Sequence, residues 1–289
     1  MRADSGLDAT REHPSRQGAI VATSVEPHDD VTRVRLSHWR SRAAGYEVSV
    51  YVHRGALIDS GFPAAAPAIV RLVRERALGA VLITHHHEDH SGGAAALAAA
   101  GVPLTLSADT ARLIAPGSPV PLYRRIVWGD PRPLGSFAAA GPVRGLEFVP
   151  APGHSADHHV IWDADRRTVF GGDLFLGVKV RVAHPEESPR LLATTLRRVA
   201  ALEPERFFDA HRGLVSTPAI ALRLKADWLD ELITAVDARI ARGWDDAAIR
   251  RELLGREPFS WYVSRGEYAK QNLVAAIRRS GGERDSLAR

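Results

Sequence analysis

Thr84-His85-His86-His87-Glu88-Asp89-His90-Ser91-Gly92-Gly93 is the stretch that decides how this chain reads. It contains His-x-His-x-Asp-His, four metal-ligand side chains within six residues. The apolar run Ala80-Val81-Leu82-Ile83 precedes it, and an Ala-rich helical stretch follows. A strand therefore delivers these side chains at its C-terminal end, on a short loop. In an extended segment, side chains two apart point the same way. His85 and His87 thus reach one ion while His86 points elsewhere. Asp89 and His90 come after the chain turns, where they address a second ion a few ångströms away. Imidazole with carboxylate suits zinc, and also iron or manganese. The competing reading is a His-rich surface loop with no fixed metal.

Three downstream segments weigh against that competitor. Ala151-Pro152-Gly153-His154-Ser155 follows the apolar stretch Leu146-Glu147-Phe148-Val149. Val169-Phe170-Gly171-Gly172-Asp173 is an apolar strand ending in two glycines and a carboxylate. Phe207-Phe208-Asp209-Ala210-His211 is again a strand ending in a histidine. Each potential ligand sits just past a strand, the edge where sites collect in layered α/β proteins. Singly these are weak signals: a glycine-flanked Asp is usually turn chemistry, and a lone His usually structural. Together, in this order, they make a metal site.

At this point the chain resembles the metallo-β-lactamase-fold hydrolases, over roughly residues 20 to 215. The resemblance includes Asp59-Ser60-Gly61 after Ala56-Leu57-Ile58, similar to that family's early Asp-Thr/Ser-Gly turn. It implies an α/β fold, a four-layer αββα sandwich with the metal centre along one edge. It implies a first metal held by His85, His87 and His154 and a second held by Asp89, His90 and His211, with Asp173 bridging. Two zinc ions are the implied cofactors, iron and manganese the alternatives. His158 matches a hydrogen-bonding support rather than a ligand. His86 and His159 are bystanders, and Asp59 supports the histidine loop from behind. The family's Gly-His-Gly at the last ligand is here Ala210-His211-Arg212-Gly213. Arg212 beside that ligand meets an anionic substrate or is simply solvated, the second reading slightly favoured.

Those ligands imply a dinuclear hydrolase. Two cations lower the pKa of a shared water to about neutral, so a bridging hydroxide attacks, with Asp89 orienting it. The bond attacked belongs to a small ester, thioester or lactone; amide and phosphodiester hydrolysis use the same ligands. One alternative is a mononuclear iron enzyme resembling the persulfide dioxygenases. Others are a phosphodiesterase or nuclease, and a metal-free binding module on an old scaffold. True β-lactamases of this fold are less similar. Two of their subclasses use a cysteine ligand and this chain has none, and the third lacks a carboxylate at the position of Asp173.

Composition fits one domain with an appendage: 289 residues, 45% hydrophobic. Without cysteine there is neither disulfide nor thiol chemistry. The net charge of +4 comes almost entirely from arginines scattered among 34 acidic residues, with Lys179, Lys225 and Lys270 the lysines. That mixture describes a solvated surface better than a nucleic-acid footprint. Met1 to Gln17 is polar, without the apolar core of an export signal, and no run approaches a membrane span. A cytoplasmic enzyme acting on a small molecule is expected.

Along the chain, residues 1–18 read as a disordered tail and 19–216 as the catalytic domain. Strands are expected at Ala19–Thr23, Val31–Leu36, Tyr46–His53 and Ala56–Asp59, and a helix over Pro67–Ala77. Pro116 to Gly135, with five prolines, reads as irregular. Its Tyr123, Arg124, Arg125 and Trp128 line the pocket or belong to a surface excursion, with nothing to choose between the two. Residues 217–280 form a helical extension, and 281–289 a second tail. Helices are expected from Pro218 to about Arg242, over Asp246–Leu254 with Asp245 as N-cap, and over Glu267–Arg279. Leu229, Leu232, Ile233, Val236 and Ile240 form one apolar stripe, which packs on the parent domain or makes a homodimer contact. Trp261 and Tyr262 are candidates to close the pocket. The whole arrangement resembles the glyoxalase II-like and endoribonuclease-like branches. Tyr268-Ala269-Lys270-Gln271-Asn272-Leu273 is the local match to the latter's winged-helix extension, with the wing missing or reduced.

Overall fold

A computed structural model of the chain describes residues 21–43, 45–117, 120–180 and 182–287, leaving aside the side chains of 22 and 282–287. The expected 1–18 tail and the strand start at Ala19 lie outside them.

The first sheet runs β1 (Val21–His28), β2 (Val31–His38), β3 (Val48–His53), β4 (Ala56–Ile58), β5 (Ala80–Leu82) and β6 (Leu104–Thr105), in that spatial order. The second has the order β11-β10-β9-β8-β7, from β7 (Glu147–Pro150), β8 (His159–Asp163), β9 (Thr168–Phe170), β10 (Arg206–Asp209) and β11 (Gly213–Leu214). Antiparallel pairing gives way to parallel pairing at β4–β5–β6 and β9–β10. A parallel pair needs a crossover, and each crossover carries a helix.

Helices α1 (Trp39–Ala43), α2 (Ala66–Glu75), α3 (Glu88–Ser91), α4 (Ala94–Ala99), α5 (Ala108–Ile114) and α6 (Leu122–Trp128) belong to the first half. Helices α7 (Pro189–Ala200), α8 (Pro218–Ile240), α9 (Asp246–Leu254), α10 (Phe259–Val263) and α11 (Lys270–Leu287) belong to the second.

Strand alternation builds the layers. Leu57, Val81 and Ile83 pack with Ile69, Val73 and Leu97 under α2 and α4. Their neighbours Ala56, Ile58, Ala80 and Leu82 turn the other way, into a cluster with Ile161, Phe170 and Phe208 from the second sheet. Val169 and Phe207 then face α7 and α8 through Leu192, Leu196 and Leu229. The αββα sandwich follows from that period of two. Phe170 stacks on Phe208 with centroids 5.4 Å apart, and the Tyr51 hydroxyl of the first sheet donates to the Asp209 carbonyl of the second at 2.6 Å.

An acid-labile clamp closes the far end of the interlayer core. Buried Asp163, at the end of β8, accepts from His53 Nε2 at 2.7 Å and Arg54 Nε at 2.6 Å. Burial pushes its pKa up, but Arg54, His53 and the Arg166 N–H outweigh that and hold it at about 2. A carboxylate depressed on folding contributes stability above its ordinary pKa of 3.8, lost as pH falls toward 2. Asp163→Asn is expected to lower stability at pH 7 by about 2 kcal/mol, ordinary for hydrogen bonds to a charged group. The variant's urea midpoint should also fall less steeply than the parent's between those two pH values.

Two expectations change. The proline-rich stretch 116–135 is not wholly irregular, because α6 occupies its middle. Pro121 sits at the helix N-cap and Gly129, with φ of 101°, at its C-cap, so the prolines frame the helix instead of interrupting it. Trp128 anchors α6 against Phe62, with ring centroids 5.0 Å apart. The last helix is also displaced. It begins at Lys270 because the Glu257 carboxylate accepts from the Lys270 and Gln271 N–H groups at 2.8 and 2.9 Å. It then runs on through the expected 281–289 tail as far as Leu287. Arg190 of α7 donates to Ser280 Oγ at 3.0 Å and holds it there.

Asp245 caps α9 as expected, accepting from Ala248 N–H at 2.8 Å. The α8 stripe is satisfied within the chain: Leu229 packs toward α7, while Leu232, Ile233 and Val236 form a core with Ile249, Leu273, Val274 and Ile277. Among the described residues no strand follows β11. The extension touches the rest in β fashion through one isolated bridge, Ala183 to Ala269. No described helix is long and apolar enough to cross a membrane.

Candidate metal centre

β5 ends at Leu82, and the five residues Ile83 to His87 leave the sheet edge before α3 begins at Glu88. Within that turn His85 Nε2 and His87 Nδ1 approach to 3.0 Å, and His154 Nε2, from the turn before β8, lies 3.0 Å from the same His87 Nδ1. Burial first, and mutual repulsion second, hold all three imidazoles well below the ordinary histidine pKa. (His154 also feels an opposing pull from Asp173.) Neutral rings with nitrogens converging on one point are a metal-ligand set.

The second group forms beside it. Asp89 Oδ2 is 3.5 Å from His211 Nε2, and Asp89 Oδ1 is 3.9 Å from His90 Nε2. Asp173 lies between the groups: Oδ1 is 3.2 Å from His90 Nε2 and 3.3 Å from His211 Nε2, and Oδ2 is 3.6 Å from His154 Nε2. All seven expected ligand residues thus meet at one edge, in two donor groups, with Asp173 reaching both. Here the electrostatics invert. Burial opposes protonation of His211, yet Asp173 and Asp89 push its pKa up to about 9. His90 is likewise raised against its burial by Asp173, Asp59 and Asp89. Two carboxylates beside two imidazoles leave an excess of negative charge for which a proton and a metal cation compete.

The residues fit a metal on one further observation. His90 Nε2 and Asp173 Oδ1 are buried and neither makes a hydrogen bond, although they are 3.2 Å apart. Buried polar atoms without partners are rare, and a cation coordinated by both satisfies both. The far nitrogens are held as metal-ligating histidines usually are. Thr84 Oγ1 lies 3.0 Å from His85 Nδ1, Glu186 Oε1 2.7 Å from His87 Nε2, and Asp59 Oδ2 2.8 Å from His90 Nδ1. The Glu47 carbonyl lies 2.6 Å from His211 Nδ1.

Asp59 also accepts from Thr84 N–H at 2.8 Å, so one carboxylate orients both ends of the histidine loop. Asp59→Asn is expected to weaken metal binding about 10- to 100-fold, the usual cost of a lost outer-sphere partner. Chelator competition reads that constant, and an unchanged affinity would remove Asp59 from the role.

His158 takes its supporting part: its Nε2 accepts from the Asp173 N–H at 3.1 Å. The two glycines before Asp173 have a packing reason. A Cβ on Gly171 would lie 2.0 Å from the Phe207 ring, and one on Gly172, whose φ is +49°, 2.7 Å from His158 Nε2. His86 pairs with Asp157 at 2.9 Å, and His159 stacks on Phe148. His86, His87 and Glu186 also come within metal-binding reach of one another, but hydrogen bonds to Asp157 and within the His87–Glu186 pair occupy that set.

Several site residues were not anticipated. Glu186 orients His87. Glu187 is buried beside His154, with its carboxyl pushed up to about 7 by that burial. His184 packs against both His87 and Tyr268, and burial pulls it down to about 4. All three lie in a segment without regular structure, so no strand end marked them. Lys225 is buried in α8, where its Nζ donates to the carbonyls of Leu174 and Phe175, just past Asp173. A cavity of about 610 Å³ opens over Asp89, His154, Asp173 and His211. Tyr123, Arg124 and Trp128 line it, settling the open reading of that stretch, while Arg125 turns outward to Asp130. Arg212 also lines it; the side chain is exposed to solvent, as expected, and its Nε donates to the Leu176 carbonyl at 2.7 Å. Trp261 and Tyr262 are absent from the lining. The opposite face of α10, Phe259, Ser260, Val263 and Ser264, closes the cavity in their place.

Comparison with known proteins accords with this geometry. Residues 46–211 match the family model described as the metallo-beta-lactamase superfamily. No curated protein matches the chain. Among solved structures it is similar to the metallo-beta-lactamase FIM-1 from Pseudomonas aeruginosa in its mono-zinc form, with TM-score 0.54 and 18% identity over 73% of this chain and 95% of that one. It is also similar to the metallo-beta-lactamase from Pontibacter korlensis, with TM-score 0.52 and 16% identity over 73% and 99% of the two chains. Identities this low speak to fold alone, but the matched span runs from just before β3 through the last ligand, His211. The chain belongs to the metallo-beta-lactamase superfamily.

Proposed function

We infer that this protein hydrolyses a small carbonyl ester, thioester or lactone with two divalent metal ions, zinc first among them. The observation that carries this is Asp173: one buried carboxylate with an oxygen toward each of two donor groups, beneath an open cavity. His85, His87 and His154 would hold one ion and Asp89, His90 and His211 the other, Asp173 touching both. When bound, such a pair supplies an acidified water and polarises the attacked carbonyl. The chain's own side chains do the rest. Asp89, at the cavity floor, accepts a hydrogen bond from the attacking water and fixes its approach. His158 and Lys225 keep the Asp173 segment from shifting as charge develops. The mono-zinc form of FIM-1 makes zinc the first metal to test.

The test is metal content per chain by plasma mass spectrometry, followed by a panel of esters, thioesters and lactones. About two zinc ions per chain with turnover of panel members is expected. About one iron with oxygen consumption would replace this reading by oxygen-dependent sulfur chemistry. Turnover confined to bis(p-nitrophenyl) phosphate or RNA would replace it by phosphodiester cleavage.

A further inference from the structure

The cavity is two-sided. Its floor is the metal edge. Its outer wall is made by two short helices from opposite ends of the sequence, α6 and α10. Each presents residues i, i+1, i+4 and i+5 to the cavity, one face of a helix: Tyr123, Arg124, Val127 and Trp128 from α6, and Phe259, Ser260, Val263 and Ser264 from α10. The polar members at the base of α6 are already engaged. Tyr123 and Arg124 both bond to Glu267. Apart from Ser260, what these two helices leave open toward the cavity is apolar. Phe259 is 80% exposed and Val263 50% exposed, and none of the described residues covers them. Trp128, only 5% exposed, offers a rigid wall opposite. Apolar side chains scattered singly on a surface carry no meaning, but a pair on one helix face, lining a cavity that ends at a reactive centre, marks a ligand site.

We propose that this wall binds an apolar limb of the substrate, an aliphatic acyl chain or aromatic ring extending from the scissile carbonyl past Trp128 onto Phe259 and Val263. The proposal rests on the hydrolase reading for the position of that carbonyl. It makes the C-terminal extension the specificity element of the site, with α10 as its reading surface.

The experiment is kcat/KM across p-nitrophenyl esters and N-acetylcysteamine thioesters with acyl chains from two to ten carbons. Burying one methylene against such a wall raises kcat/KM about threefold, so a steep rise with chain length is expected. Phe259→Ser/Val263→Ser should flatten that slope to less than about 1.5-fold per methylene, by the same area argument. Trp261→Ser, on the outward face of the same helix, should keep the parent slope. Binding of acetate, butyrate and octanoate to the metal-loaded protein, by calorimetry, gives a readout independent of turnover. Tighter octanoate binding that the double substitution abolishes, without hydrolysis of any ester, would remove the hydrolase reading and leave the apolar site standing. Short esters turned over with no chain-length dependence, or a slope that survives the double substitution, would overturn the proposal.

Discussion

If two ions sit in the proposed hydrolase site, Asp173→Asn is expected to lower kcat/KM by about three orders of magnitude or more and to take the metal content from two ions per chain toward one. The neutral amide keeps the shape of the side chain and removes the charge that both donor groups share. Asp173 Oδ1 lies 3.2 and 3.3 Å from the His90 and His211 nitrogens and Oδ2 3.6 Å from that of His154, whereas Asp89 stands beside His90 and His211 and Glu187 beside His154. A Lewis-acid pair contributes several kcal/mol of transition-state stabilisation, and each 1.4 kcal/mol is tenfold, hence the magnitude. The metal-free fold also loses some stability: burial raises the Asp173 pKa, but His211 and His90 reverse that and take it well below its ordinary value, so the charge is stabilising in the folded chain. Circular dichroism of the metal-free variant should match that of the parent, with a lower melting temperature at neutral pH that converges on the parent's as the pH falls. Activity within tenfold of the parent with two ions retained would end the bridging assignment.

Arg124→Met is expected to cost about 3–5 kcal/mol of stability, the usual penalty for stranding a buried charge, and at 2–4 °C per kcal/mol about 10 °C in melting temperature. Arg124 is buried, donating through Nε and Nη2 to the equally buried Glu88 and through Nη1 to Glu267 at 2.8 Å. Burial raises the Glu88 pKa, and Arg124 works against that. Without the guanidinium, Glu88 titrates higher in the folded state than in the unfolded one. A carboxyl raised on folding costs least where it is protonated, so the variant's deficit should shrink as pH falls toward 5 and grow toward 8. Glu88→Gln/Arg124→Met, with the shared carboxylate charge gone, should lose less than the single Arg124 variant. Equal losses would show that Arg124 acts through packing alone.

The candidate metal ligands that meet at this edge could be found in the sequence because backbone signals mark them. His85 and His87 alternate off the end of an apolar strand, His154 follows a Pro-Gly turn, and Asp173 follows two glycines that the packing of Phe207 and His158 requires. Local rules of that kind travel with the sequence. The outer layer did not, because its partners are distant in the chain and lack a pattern. Glu186 reaches His87 across 99 residues and Glu267 reaches Arg124 across 143. Proline content hid α6, since prolines at the flanks of a helix and inside it are easily confused. For α10 the aromatic pair Trp261–Tyr262 drew the eye to the wrong face, and only the helix's rotation shows that Phe259 and Val263 look inward. The start of α11 was misplaced because its cap, Glu257, comes from outside the helix.

The Glu88–Arg124–Glu267 chain has a further consequence, for where this protein divides. Glu88 stands between the candidate ligands His87 and Asp89, and Glu267 lies in the extension, so a three-residue ionic relay ties the extension to the histidine loop itself. A cut after residue 216, clean along the polypeptide, would strip the cavity of one wall and leave Arg124 with half its counter-charge. The family fold and its appendage are therefore joined at the site by more than the polypeptide.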